Sequence, residues 1–255
     1  MGNRSGIAGY FILNSTICRW RKFLVEPGCS LGSGYFVGVV HHRVWKIWRE
    51  DQNTIGFKVL HNFSLAKGDD EDTLKKYFQL EVPLQELYKT WSENDLYFKQ
   101  VLAANEENLT GVRILAQDPF ETLLAFICSS NNNIKRITRM VEKLCELYGD
   151  KATIVSDLSR SSLNFYDIAD LQKMVADDKM EEKLRENGFG YRATYLCQAV
   201  RKLEQLGGII WLRSLSEMDY LTARKMLEGL PGVGPKVTGF FLLVFRLAVK
   251  HHLHR

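Results

Sequence analysis

The sequence predicts an α+β protein in which a small antiparallel sheet precedes a body built of helices. The composition changes near residue 70: before it glycine is frequent and apolar residues alternate with polar ones, and after it apolar residues follow helical spacing. The 255 residues are 45% hydrophobic and 25% charged, which is typical of folded chains with one large or two small domains. This composition excludes a disordered or fibrous protein.

Three early segments predict the strands of an antiparallel meander. Residues 35–40, 44–48 and 55–60 are rich in β-branched and aromatic side chains, and residues 41–43 predict a turn between the first two. The acidic run at residues 69–72 predicts a solvated loop that caps the first helix.

The rest of the sequence predicts helices. Asp118 is placed to cap one of them, Pro119 suits its first turn, and the helix that follows has the most apolar face, so we expect it at the centre of the core. Apolar residues with helical spacing in the other segments are Leu74, Tyr77 and Phe78; Leu84, Leu87, Tyr88 and Trp91; Ile137, Met140, Val141 and Leu144; Leu196, Val200 and Leu203; and Leu221, Met226 and Leu227.

Charge and cysteine content narrow the functional classes. Lys and Arg number 34 and Asp and Glu 30, so the formal net charge of +4 permits nucleic-acid binding without requiring it. Five cysteines without a CxxC pair exclude a disulfide scaffold and a cysteine-built metal site, and they fit a reducing intracellular compartment.

The His-rich residues 250–255 are a weak ligand set without a scaffold, so we expect no metal and no cofactor. The longest apolar run, residues 237–245, is about half of a membrane span, so we expect a soluble protein without a membrane partner.

The most informative stretch is Leu-Pro-Gly-Val-Gly-Pro-Lys at residues 230–236, between two predicted helices. Gly232 and Gly234 expose backbone N–H groups with no side chain in the way, and Pro235 suits the first position of the second helix. The positive end of that helix lies at the same place. The hairpin therefore predicts an anion cradle suited to a DNA phosphate.

Lys236 stands at the beginning of the second helix. The positive helix end favours the neutral amine, which can attack the C1′ atom of a sugar, expel the base and form a Schiff base. The hairpin by itself leaves two alternatives open: Lys236 could bind a phosphate instead, and the hairpin could be an ordinary helix–helix turn.

Two further segments bear on this choice. Cys-Ser-Ser-Asn-Asn-Asn-Ile-Lys-Arg-Ile at residues 128–137 places three asparagines where a helix breaks or is capped. Gly-Phe-Gly-Tyr-Arg-Ala follows at residues 188–193. Together with the hairpin, and with residues 77–80 and 112–119 in the same order, these strings resemble the eukaryotic 8-oxoguanine DNA glycosylases of the helix–hairpin–helix superfamily.

The resemblance extends from about Cys18 to about Val237. It implies a TATA-binding-protein-like sheet domain with flanking helices at residues 1–117 and a helix–hairpin–helix glycosylase domain, incomplete at its C-terminal end, at residues 118–255. The implied activity belongs to base-excision repair: a DNA glycosylase and AP lyase flips 8-oxoguanine out from opposite cytosine, forms a lysine Schiff base and cleaves the strand by β-elimination. The implied partner is double-stranded DNA with oxidised purines or abasic sites, bound by a monomer in the nucleus, with the mitochondrion as a second address.

The resemblance also assigns roles to single residues. Lys236 matches the Schiff-base nucleophile, and Gly232 and Gly234 match the hairpin glycines that contact DNA. The residues that match DNA-reading positions are Asn131, which fills the space of the flipped base, Tyr191, which wedges into the duplex, and Arg136 and Arg192, which hydrogen-bond the orphaned cytosine.

The sequence departs from the family pattern at three places. No Asp or Glu follows Glu228, whereas the family has a V-D-x-H segment shortly after the hairpin, whose Asp activates the lysine and stabilises the cationic sugar. Phe240 stands where a purine-stacking cysteine is expected, and Ser15 stands at the position of a lesion-sensing glycine. We expect impaired base excision, because electrostatic stabilisation of a cationic intermediate is worth orders of magnitude in rate.

Three alternatives stay open. The chain could be a non-catalytic damaged-DNA-binding protein, or an inactive truncated isoform whose end from about Thr238 comes from an alternative exon or a misjoined gene model. It could also be a relative that acts on alkylated bases or mismatched adenine, although the asparagine run disfavours that alternative.

Overall fold

A computed structural model describes residues 7–8, 24–26, 35–50, 54–105, 113–155 and 162–249. In these ranges a five-stranded antiparallel sheet is followed by helices, which confirms the α+β prediction. The strands are β1 (Ile7–Ala8), β2 (Leu24–Glu26), β3 (Tyr35–Val40), β4 (Arg43–Arg49) and β5 (Thr54–Asn62), in the spatial order β1-β5-β4-β3-β2. Ser15 lies outside the described residues.

The turn between β3 and β4 is tighter than predicted. His41 and His42 alone form it, with φ angles of 46° and 61°. Two residues with positive φ match the twist of the flanking strands, and this turn type is common in hairpins. The predicted turn at residues 41–43 is therefore wrong about Arg43, which opens β4 opposite Val40. Its buried guanidinium is held by the Asp70 carboxylate, at 2.8 Å.

Helices begin where their capping residues predict. The Asp118 carboxylate accepts hydrogen bonds from the backbone N–H groups of Phe120 (2.9 Å) and Glu121 (3.1 Å). Asp69 caps the first helix, but the rest of the acidic run lies in the first helical turn and not in a loop. The helices are α1 (Asp70–Tyr77), α2 (Leu84–Asn94), α3 (Leu96–Ala104), α4 (Pro119–Ser129), α5 (Ile134–Tyr148), α6 (Leu171–Ala176), α7 (Met180–Glu186), α8 (Arg192–Gln205), α9 (Gly208–Ser214), α10 (Tyr220–Glu228) and α11 (Pro235–Val249), with a 3₁₀ turn at Leu215–Glu217.

Helix α4 is the centre of the helical core, as predicted. It is buried on nearly every side from Pro119 to Cys128, with Glu121 half-buried. Helices α5, α8, α9 and α11 pack around it. A helix that is apolar all round is stable only inside a core. The C-terminal end of α4 therefore brings the following loop, residues 130–133, to the edge of this core.

Both faces of the sheet are covered. On one face Trp45, Ile47 and Phe57 pack against Leu74 and Tyr77 of α1. The other face packs against a second antiparallel hairpin, β6 (Lys151–Val155) and β7 (Ser162–Tyr166). The expectation of an entirely helical body is wrong at this hairpin. Its few buried apolar side chains, such as Ala152 and Phe165, share a core with residues far earlier in the chain, among them Val37, Val44 and Phe63, so the local pattern is weak.

The β3–β4 turn also ties the sheet to the helical body. The His41 ring nitrogen Nε2 lies 2.9 Å from the Ala116 carbonyl, and His42 Nδ1 lies 2.8 Å from the Asp167 carboxylate. Burial lowers the pKa of His41. Burial also lowers the pKa of His42, but the hydrogen bond and charge of Asp167 outweigh it, so the pKa of His42 is raised.

Helices α2 and α3 form an outlying pair. Neither contains a buried residue, and they contact each other through Tyr88, Trp91 and Phe98, whose ring centroids lie 5.7–6.1 Å apart. The helical spacing of α2 was predicted, whereas α3 and the exposure of the pair were not. Within the described residues, no helix combines the length and the apolar character that a membrane crossing requires.

Candidate functional site

Three loops meet beside the C-terminal end of α4. They are residues 130–133 between α4 and α5, residues 187–191 before α8, and residues 229–234 between α10 and α11. Arg136 Nη2 donates to the Gly188 carbonyl at 2.8 Å, which joins the first two loops. Tyr195 of α8 lies directly against Gly232 of the third. The structure thus brings together the three segments that sequence analysis singled out.

The three asparagines do different work. Asn132 Nδ2 donates to the Cys128 carbonyl at 2.9 Å, and Asn133 caps α5 by accepting from the Arg136 backbone N–H at 3.0 Å. The predicted helix break and cap are confirmed. Asn131 is exposed and has a φ of 44°, in the left-handed region that asparagine tolerates better than most residues. Its side chain makes no hydrogen bond to another described residue.

Arg192 is buried, with 2% of its surface exposed. Its guanidinium donates from Nε to the Ser130 carbonyl (3.1 Å) and from Nη2 to the Asn131 carbonyl (2.9 Å). It also packs over the Tyr191 ring, 4.6 Å from the centroid. Arg192 therefore holds the Asn131 backbone in place. Among the described contacts of its guanidinium, none engages Nη1.

Tyr191 is 46% exposed, so the structure excludes a role as an ordinary core residue. Its hydroxyl donates to the Ser130 carbonyl at 3.1 Å, and its ring stands edge-on to Tyr195, with centroids 6.0 Å apart. Tyr195 is 42% exposed and was missed by sequence analysis. Its spacing of four residues from Tyr191 is the signal that could have found it, because such residues are neighbours on a helix.

The two hairpin glycines differ. Gly232 has a φ of 79°, and a Cβ atom there would lie 2.9 Å from the Cβ of Tyr195. Gly234 has open space around the position of a Cβ. Gly232 is therefore required by conformation and packing, whereas Gly234 leaves room for a ligand to approach the backbone. Leu230 before the glycines and Val233 between them are both buried and anchor the loop.

Lys236 is exposed on the first turn of α11, which begins at Pro235 as predicted. Phe240 follows one helical turn later on the same side and is 49% exposed. Its ring stacks on Phe126 of α4, with centroids 6.1 Å apart and planes 17° from parallel. The opposite side of α11 is anchored by Thr238 and Phe241, both 0% exposed. A rigid helix thus presents an amine and an aromatic face side by side.

Other chemistry is limited in this part of the molecule. Burial raises the pKa of the Cys128 thiol to about 12, so a thiolate nucleophile is excluded there at neutral pH. Among the described residues, no group of three or more His, Cys, Asp or Glu side chains could hold a metal ion. The His-rich residues 250–255 lie outside the described part of the chain.

Comparison with known proteins identifies the family. Residues 18–123 match the model of the 8-oxoguanine DNA glycosylase N-terminal domain. The chain is 35% identical over 204 residues to the N-glycosylase/DNA lyase of Saccharomyces cerevisiae, covering 75% of this chain and 50% of the yeast protein. It is 37% identical over 175 residues to the N-glycosylase/DNA lyase OGG1 of Arabidopsis thaliana, covering 68% of this chain and 45% of the plant protein.

A solved structure agrees with these matches in fold. The Clostridium acetobutylicum 8-oxoguanine glycosylase/lyase, in complex with double-stranded DNA containing cytosine opposite 8-oxoguanine, superposes with a TM-score of 0.74 at 22% identity. The superposition covers 97% of this chain and 79% of the bacterial one. The chain spans about half the length of the curated relatives it matches. By its matching N-terminal domain model and its yeast and plant relatives, the chain belongs to the 8-oxoguanine DNA glycosylase family of the helix–hairpin–helix superfamily.

Proposed function

We propose that this chain is a base-excision repair enzyme that acts on 8-oxoguanine opposite cytosine, with Lys236 as its nucleophile. The observation that carries the proposal is the exposed Lys236 on the first turn of α11, beside a hairpin whose Gly232 lies against Tyr195 of α8 and Ile127 of α4. These two helices adjoin the Tyr191 and Asn131 loops. The names of the yeast and plant relatives, and the DNA bound in the Clostridium complex, support the same activity.

Lys236 Nζ supplies the covalent chemistry. The neutral amine attacks C1′ of the damaged nucleotide, the N-glycosidic bond breaks and the base leaves. At an abasic site the amine instead condenses with the C1′ aldehyde and releases water. In the first route the C1′–O4′ bond of the attached sugar then opens, so both routes end in a protonated imine, which acidifies the C2′ hydrogen. Loss of that proton expels the 3′ phosphate by β-elimination and cleaves the strand.

The surrounding loops hold the duplex open. The backbone at Gly234, with its open approach, binds a phosphate at the positive end of α11. Asn131 fills the space left by the extruded base, and Tyr191 wedges between base steps from its exposed position. Arg136 and Arg192 hydrogen-bond the orphaned cytosine. For Arg192 the available donor is Nη1, since Nε and Nη2 already bind loop carbonyls.

Phe240 takes the place of the cysteine in the family pattern as a stacking surface for the extruded base. Its half-exposed ring stacks on Phe126, which holds it in place, so it presents a flat apolar face beside Lys236 on α11. Stacking on an aromatic ring tolerates any base, because every base has a π-face. Phe240 therefore adds affinity for extruded bases in general and little preference for 8-oxoguanine.

We further propose that these 255 residues catalyse the lyase step better than base removal. Residues 229–255 contain no Asp or Glu to stabilise the cationic sugar that forms as the base departs. An abasic site has already lost its base, so imine formation there needs only the amine. The ratio of the two activities is consequently the informative quantity.

Borohydride trapping on two labelled duplexes tests the proposal, because hydride reduces the imine to a stable amine adduct. One duplex carries 8-oxoguanine opposite cytosine and the other an abasic site, with Lys236→Gln as the control. We expect an adduct on the abasic duplex, a much weaker one on the 8-oxoguanine duplex, and none with Lys236→Gln.

Three other outcomes of the trapping experiment would contradict the proposal or part of it. Equal trapping on both duplexes would contradict the preference for the lyase step and confirm base removal without a carboxylate after Glu228. An adduct that survives in Lys236→Gln would place the nucleophile elsewhere. No adduct on either duplex, with specific binding retained, would favour a non-catalytic damaged-DNA-binding protein.

A further inference from the structure

We propose that Lys135 and Arg139, on the first turns of α5, form a second phosphate-binding surface that holds duplex DNA independently of sequence. The inference rests on the proposed function, which supplies duplex DNA as the partner. Both residues lie outside the three loops described above, and no motif of the sequence singled them out as binding residues.

The two cations share one exposed side of α5 with Arg136. The opposite side of the helix carries the buried residues, among them Ile137, Met140 and Val141. Lys135 and Arg139 are four residues apart, and Arg136 and Arg139 three apart, so all three are neighbours on the helix surface. All three side chains are exposed.

This arrangement is unfavourable for the protein alone. The first turn of α5 contains no acidic residue, and the positive end of the helix disfavours cations there. The nearest acidic residue on this side of the helix is Glu142, three residues after Arg139. Like charges at these spacings also repel. No ion pair between described residues includes Lys135, Arg136 or Arg139. Farther along the same helix, by contrast, Lys143 pairs with Glu146 at 2.9 Å.

An extended polyanion such as duplex DNA would neutralise these cations. Arg136 reaches the Gly188 carbonyl at 2.8 Å, so the cations border the loop that carries Tyr191. A duplex that places a nucleotide beside Tyr191 runs on past the loop, and its phosphates can then meet α5. Arg139 offers a fork of donors to phosphate oxygens, and Lys135 offers a mobile point charge. Neither contact reads a base, so the surface adds affinity and no sequence preference.

The double variant Lys135→Gln/Arg139→Gln tests the inference by the salt dependence of duplex binding. The slope of log K against log salt concentration should fall by about 0.9 for each lost phosphate contact, or about 1.8 in total. Affinity should fall by the same factor on undamaged and on 8-oxoguanine duplexes. The melting temperature should stay equal to that of the wild type or rise, because the repulsion between the two cations is removed.

The matched control is Lys75→Gln/Lys76→Gln. These two lysines of α1 each pair with a carboxylate at 2.7 Å, so the variant loses the same net charge from a surface whose cations are already neutralised. We expect its salt slope to equal that of the wild type. Equal salt slopes for the control and the α5 variant, or equal losses of duplex affinity in both, would overturn the inference.

Parallel borohydride trapping separates this inference from the proposed function. Adducts without a change in slope would contradict the α5 surface alone. A reduced slope without any adduct would retain the surface and contradict the enzyme. Absence of measurable binding of duplex DNA by the wild type would also overturn the α5 surface.

Discussion

The two sides of the candidate site are built differently. On the Asn131 side, polar side chains are bound to the protein itself: Arg192 and the Tyr191 hydroxyl both donate to backbone carbonyl groups. On the hairpin side, buried apolar residues and Gly232 hold the loop, while Gly234 and Lys236 face outward. One side is rigid through its hydrogen bonds, and the other keeps its polar groups available for a ligand. Stability and chemistry should therefore separate between the two sides.

The largest expected effect is on chemistry alone. Lys236→Gln should reduce imine trapping on abasic DNA by several orders of magnitude, because an amide nitrogen is not a nucleophile. The melting temperature and duplex affinity should change little, since the exposed Lys236 side chain supports no packing. Calorimetry alongside trapping checks both. A large drop in melting temperature would show that the hairpin side also depends on this side chain.

Arg192→Ala should lower both the stability of the protein and its preference for cytosine opposite the lesion. The Asn131 carbonyl loses its Arg192 donor, while the Ser130 carbonyl keeps the Tyr191 hydroxyl, and the change should cost about 1–3 kcal/mol of stability. The preference for cytosine opposite the lesion should relax, while affinity for undamaged duplex falls less. Denaturant unfolding and binding to duplexes with each of the four opposite bases measure the two effects. An unchanged cytosine preference would mean that Arg192 only positions the loop.

The hairpin glycines sharpen the comparison within one loop. Gly232→Ala should destabilise the protein by roughly 1–2 kcal/mol, because a side chain at positive φ is strained and its Cβ meets Tyr195. Gly234→Ala should leave stability nearly unchanged and weaken duplex binding, since the methyl group obstructs approach to the backbone. Equal melting temperatures for the two variants would contradict the different roles of the two glycines.

The smallest expected effect lies outside both sides, at the contact between His42 and Asp167. The pKa of His42 is raised in the folded protein, so this pair contributes its full stability below the ordinary pKa of about 6.5 and loses it as pH rises through the folded pKa. His42→Asn suits the positive φ of this position. The difference in melting temperature between wild type and variant should be larger at pH 6 than at pH 9. A difference that grows with pH would contradict the assignment.

Prediction from sequence was accurate where local chemistry decides the outcome. Caps at Asp118 and Asn133, and the helix start at Pro235, lie where the residue types place them. It was wrong where distant partners decide. The β6–β7 hairpin depends on the N-terminal sheet, far earlier in the sequence, and α2 has helical spacing but no buried residue.

The candidate site shows the same division. Its loops were recognisable as motifs, yet the burial of Arg192, the exposure of Tyr191 and the place of Tyr195 against Gly232 follow only from how α4, α8 and α11 pack. The assigned roles of Lys236, Asn131, Arg136 and Arg192 stay predictions, as does the domain boundary near residue 118.

The sequence by itself determined the family, the α+β class and the residue types that carry chemistry, because turns, caps and motifs act through neighbours along the chain. Only the tertiary structure decided which of those groups are tied to the protein and which face outward. Burial and hydrogen-bond partners come from residues far apart in the sequence, such as Ser130 and Arg192. For Lys135 and Arg139 the sequence gives the helical spacing, and the tertiary structure adds that both side chains are exposed.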